Sequence, residues 1–186
     1  MLQTLRDSLK VEEIRKKLVF TFLMLLLYRL GNSIPVPFVN TDILASIFEQ
    51  TQGNGLAFLN LLSGGALGQF SIFALSIYPY ITSSIIIQLL TVAIPQLEEL
   101  SKEGEEGRQK IQYLTKILAV VLAAVQAIGI TNTLFSQAIV ANGVFERISI
   151  ILVLVAGTMF LVWLSDLITE KGIGNGTSML IFIGIV

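Results

Sequence analysis

Charged residues along this chain fall in clusters, with long apolar stretches between them. An apolar run follows Lys17 and is interrupted only by Arg29, and no charge at all lies between Glu49 and Glu98. Further uncharged stretches run from Lys116 to Glu146, from Arg147 to Asp166, and after Lys171. A membrane-spanning helix needs about 20 consecutive apolar residues. The pattern therefore predicts a cytoplasmic amphipathic N-terminus at 1–15, with Leu2, Leu5 and Leu9 at helical spacing, and a first span at 16–34. An outer loop follows at 35–55, then a half-helix and bend at 56–68 and a second span at 69–94. A cytoplasmic loop at 95–114 leads to a third span at 115–134, an outer loop at 135–146, a fourth span at 147–169 and the start of a fifth at 173–186. On this reading the sequence is the first part of a longer membrane protein.

The uncharged stretch between Glu49 and Glu98 is the informative one. It is too long for one span and too short for two with an ordinary loop. Ser63-Gly64-Gly65 interrupts it, and glycine costs about 1 kcal/mol relative to alanine inside a helix. The parse is a helix of about two turns, a bend, and a full span from about Gln69. Two turns cannot cross a bilayer, so the short helix must sit inside the protein, where its backbone ends find partners. On the long helix, Ser76, Tyr80, Ser84 and Gln88 form a polar stripe beside Ile77, Ile81 and Ile85. Pro79 is expected to kink it near its outer end. Such a stripe faces other helices or a water-filled cavity, and the neighbouring half-helix favours the cavity.

Composition agrees. Of 186 residues, 54% are hydrophobic and 13% charged, against about 25% charged in soluble domains; the mean hydropathy is +0.80. Too few polar groups exist to cover a water-facing surface. The net charge of −1 hides a segregation: Arg6, Lys10, Arg15, Lys16 and Lys17 precede the first span, and Lys102, Arg108, Lys110 and Lys116 lie between the second and third. The positive-inside rule makes both segments cytoplasmic. With no cysteine and no histidine, disulfides, thiolate or imidazole metal sites and a histidine general base are excluded. No cofactor motif is present, because Gly172-Ile173-Gly174-Asn175-Gly176 lacks dinucleotide-loop spacing and is expected to form a tight turn between antiparallel helices. Arg29, Asp166 and Glu170 are expected to sit at the membrane interfaces.

Arg29-Leu30-Gly31-Asn32-Ser33-Ile34-Pro35-Val36-Pro37, Ser63-Gly64-Gly65-Ala66-Leu67, Ser71-Ile72-Phe73-Ala74-Leu75 and Pro79-Tyr80-Ile81 together resemble the SecY family, the channel subunits of the bacterial protein translocase. Ile85 to Leu90, Gly157-Thr158-Met159-Phe160-Leu161 and Gly172 to Gly176 continue the resemblance along essentially the whole chain. It implies an all-α polytopic membrane protein, the N-terminal half of a ten-helix pseudo-symmetric channel with a short re-entrant plug helix. It implies that Leu59, Asn60, Leu61, Leu62, Ser63 and Gly64 belong to the plug. The pore ring would include Ile77 and Ile81 on the second helix and Thr177 and Ile181 on the fifth. The family usually carries an apolar residue at the first of the fifth-helix positions, so Thr177 departs from its pattern. The implied function is passage of unfolded preproteins across the cytoplasmic membrane and insertion of membrane proteins, without catalysis. The implied partners are the SecE and SecG subunits, the SecA motor ATPase or a ribosome, signal peptides and preproteins, and membrane lipids, with no nucleic acid contact by this half. The alternative weighed against this is half of a secondary transporter with discontinuous helices; such proteins usually place an ionisable group near the midplane, and the broken segment has none.

Overall fold

The structure, a computed structural model, describes residues 11–40, 43–44, 46, 58, 60–61, 63–133, 139 and 143–185. The expected amphipathic N-terminus with Leu2, Leu5 and Leu9, the plug positions Leu59 and Leu62, much of the two outer loops and Val186 lie outside the described residues. Within them the chain is all-α. Its helices are α1 (Glu12–Asn32), α2 (Tyr78–Ala93), α3 (Pro95–Lys102), α4 (Glu105–Thr133), α5 (Val144–Lys171) and α6 (Gly176–Ile185). Among the described residues the extended pairings are isolated bridges, Pro35 with Ser71 and Val39 with Ile139.

Two helices are long and apolar enough to cross a membrane, Glu105–Asn132 and Val144–Lys171. The α2–α3 pair meets the same test together but is bent by 102°. The bend has a local cause. Pro95 opens α3 at its first turn and holds Ile94 extended at φ −111° and ψ 113°, because a residue before proline is pushed out of the helical region.

The second span differs from the sequence expectation. Apart from the bridge at Ser71, residues 66–77 are turns, and α2 begins only at Tyr78. Ser76 therefore leaves the polar stripe: it stands before the helix at φ +51°. Pro79 does not kink α2 but starts it, lying in the first turn, where its missing N–H is one the helix leaves unpaired anyway. At 16 residues, α2 is about 24 Å long, short of the roughly 30 Å hydrocarbon core.

That segment is held by tertiary partners. Val36 N–H donates to the Phe70 carbonyl (2.9 Å) and Ile72 N–H to the Ile34 carbonyl (3.0 Å), clamping it to the end of α1. Phe73 lies against Gly31 and Gly157, and at either glycine a β-carbon would clash, with the Phe73 ring at Gly31 and with the Ile72 carbonyl at Gly157. Its ring stacks with Tyr28 at 6.0 Å and with Phe160 at 5.9 Å. On α4, Ala119, Ala123 and Ala127 are fully buried, a stripe of small side chains that lets neighbouring helices approach closely.

Two apolar clusters result. One joins Leu67, Phe70, Leu75, Ala123, Ile150 and Leu154. The other joins Tyr28, Phe73, Ile77, Leu161, Leu164, Ile168 and Leu180. Phe22, Val125 and Leu152, each more than half exposed, stand on the outer faces of α1, α4 and α5.

Candidate functional site

The site comprises two neighbouring parts, the Ser63–Gly65 bend and the isoleucines at the start of α2 and midway along α6. The bend is built from local hydrogen bonds. Asn60 closes it: its side-chain oxygen accepts from Gly68 N–H (2.7 Å) and its carbonyl accepts from Gly65 N–H (2.9 Å). Ser63 donates its hydroxyl to the Asn60 carbonyl (2.9 Å) and accepts from Leu67 N–H (3.2 Å). Gly64 and Gly65 stand at φ +67° and +80°, left-handed backbone that side chains disfavour. Phe58, Asn60 and Leu61 are helical, consistent with a short helix entering the bend. The bend packs on α6, since a β-carbon at Gly64 would lie 3.0 Å from the Gly184 carbonyl oxygen.

Ile77 caps α2, and Ile81 N–H donates to its carbonyl at 3.2 Å, so the two side chains lie one turn apart. Ile77 is buried, 2% exposed, in the cluster with Leu161, Leu164 and Leu180; Ile81 and Ile181 pack half-buried against the same cluster. Three of the four positions that the resemblance implies for a ring thus belong to or border one cluster. The fourth, Thr177, shares a face of α6 with Ile181, and its hydroxyl lies 2.8 Å from that of Ser165. That bond is made to α5, within the chain.

The α5–α6 turn explains how α6 is aimed. Asn175 accepts from Ser178 N–H at 3.1 Å, an N-cap, and Gly174 takes φ +76°. Gly176 N–H donates to the Thr169 hydroxyl (2.8 Å) and Ile173 N–H to the Thr21 hydroxyl (3.1 Å), which ties α1 to the turn. A β-carbon at Gly176 would strike the Ser165 carbonyl. The Gly-rich motif is thus a tight turn between antiparallel helices.

Sequence reading missed three features. Asp166 does not simply face an interface: its carboxylate pairs with Lys116 at 2.7 Å, joining α5 to α4. Tyr80 lies within electrostatic reach of both charges. Arg29 reaches the Ile183 carbonyl on α6 at 3.5 Å. The 50-residue separation of Lys116 and Asp166 leaves no local pattern to find. On α3, Glu98, half exposed, accepts from Lys102 at 2.6 Å, and that bond holds its carboxyl below the usual range. Among the described residues no cluster of acidic side chains is able to hold a metal ion.

A cavity of about 480 Å³ lies between the bend, the start of α2 and α4, lined by Ser63, Leu67, Leu75, Tyr78, Thr82 and Gln126. An apolar groove of about 580 Å³ runs between α1 and α5 past Leu27, Ile34, Phe73, Ala156 and Phe160.

The SecY family model matches residues 71–186. The protein translocase subunit SecY of Pseudomonas aeruginosa is 51% identical over 177 residues, covering 95% of this chain and 40% of its own length. That of Aquifex aeolicus is 46% identical over 194 residues, covering all of this chain and 45% of its own. The chain thus spans less than half the length of the curated relatives it matches. Among solved structures, a protein-conducting channel has a TM-score of 0.65 at 23% identity, covering 92% of this chain and 36% of its own. A SecY structure described by its plug domain, said to stabilise the closed state of the translocation channel, has a TM-score of 0.61 at 22% identity, covering 89% of this chain and 34% of its own. At these identities the structures speak for the fold.

Proposed function

Because this chain belongs to the SecY family, we propose that it supplies one side of a protein-conducting channel in a bacterial cytoplasmic membrane, with its N-terminus cytoplasmic. The channel passes unfolded preproteins and releases apolar segments into lipid. Its driving force comes from a SecA-type motor or a ribosome, and SecE and SecG complete the complex; the chain itself catalyses nothing.

The observation that carries this reading is the convergence of Ile77, Ile81 and Ile181 on one apolar cluster beside the Ser63–Gly65 bend. A constriction of branched aliphatic side chains blocks ions, because an ion there loses its hydration without replacement ligands. Such side chains still swing aside around any passing sequence, since they make no hydrogen bond that must be broken. Ile77 is fully packed within the chain, so Ile81 and Ile181 carry the sealing edge and Ile77 backs them. Thr177 spends its hydroxyl on Ser165, which leaves its methyl group to the ring. The plug is the segment from about Leu59 to Gly64.

The test is Ile81→Asp in the complete channel. A charge at the edge wets the constriction, and ion conductance of the resting channel in planar bilayers is expected to rise at least tenfold. An unchanged seal in an assembled Ile81→Asp channel takes Ile81 out of the constriction.

A further inference from the structure

We propose that Asn32, at the end of α1, biases the Ser63–Gly65 bend toward release. Its side chain is 6% exposed, and neither its amide nitrogen nor its oxygen has a hydrogen-bond partner among the described residues. The bend is what covers it: a β-carbon at Gly64 would lie 3.2 Å from the Asn32 amide nitrogen and 3.1 Å from the Gly184 α-carbon. The glycine therefore lets the bend sit directly on the amide and on α6 at once.

A carboxamide has two donor hydrogens and two acceptor lone pairs to satisfy. Shut away from water with none of them paired, it penalises the arrangement that shuts it away. Beside it, Arg29, Asn60, Gly64 and Gly184 line a cavity of about 200 Å³, so water has a route to the amide once the bend retreats. The closed arrangement thus carries a cost that opening removes, and the seal stays easy to trigger. Asn60 and Ser63, with their four local hydrogen bonds, set the shape of the bend and leave the Asn32 amide unpaired.

The inference rests on the bend belonging to the plug, so two variants of opposite expected sign separate the two claims. Asn32→Leu, in the complete channel, removes the unpaired amide at similar volume. Resting conductance and opening by an apolar signal segment are both expected to fall about tenfold, the effect of one unmade buried hydrogen-bonding group, while the thermal aggregation midpoint holds or rises. Gly64→Ala puts a methyl group into the contact at a positive φ and should raise resting conductance. If Gly64→Ala leaks and Asn32→Leu opens as readily as the parent, the bias by Asn32 is overturned and the plug stands. Asn32→Leu failing to assemble, or leaking more, also overturns it, for then the amide was a supporting group. If neither variant alters conductance, the bend is no part of the seal and both claims fall.

Discussion

Glycine is legible in a sequence as a breaker but not as a neighbour, and Gly157 shows the difference. In the resemblance it is one letter of a motif; in the fold it is the place where the Ile72 carbonyl meets α5. Gly157→Ala should destabilise the assembled channel by about 1–3 kcal/mol, since the clash is with backbone and the irregular segment must move. Gly129→Ala is the control: beyond its chain neighbours and the nearby backbone of its own helix, nothing lies within 4 Å of the added carbon, and alanine is the better helix former by about 1 kcal/mol. Thermal aggregation of the two variants in detergent should separate them, the first below the parent and the second level with it or above. Equal midpoints would mean that the Ile72 contact is not made.

At the scale of elements, the Ser63–Gly65 break and the Gly172–Gly176 turn were readable because glycines punctuate an otherwise apolar chain. The true start of α2 was not readable. Residues 69–94 form one apolar run with four-residue spacing, and periodicity cannot reveal that Phe70 to Ile77 is extended and turned by partners distant in sequence, namely Ile34, Val36, Gly31 and Gly157. Pro79 had two meanings, a kink inside a helix or an allowed residue in a first turn, and only the end of the irregular segment decides between them. The Lys116–Asp166 pair was invisible for the same reason. It fastens α4 to α5 where both side chains remain more than a third exposed, so its coupling should be modest, about 1 kcal/mol or less. A double-mutant cycle with Lys116→Met and Asp166→Asn reads that coupling directly. Additive effects of the two changes on the aggregation midpoint would show that the pair does not fasten the helices.

Over the whole molecule, the resemblance implied four ring positions, and their surroundings in the structure differ. Ile77 is interior, Ile81 and Ile181 share the edge of its cluster, and Thr177 is tied to α5. Phe22, Val125 and Leu152 stand on other faces, each more than half exposed. The absence of cysteine from the chain makes this distinction measurable, because any introduced thiol is its own reporter within it. The decisive measurement places one cysteine at Ile81 or at Phe22 in the complete channel and arrests a polypeptide carrying a thiol-reactive group midway through. Ile81→Cys should form the cross-link and Phe22→Cys should not. Cross-linking at Phe22 with none at Ile81 would put the path on the other side of α1, and the apolar cluster would then be an ordinary core.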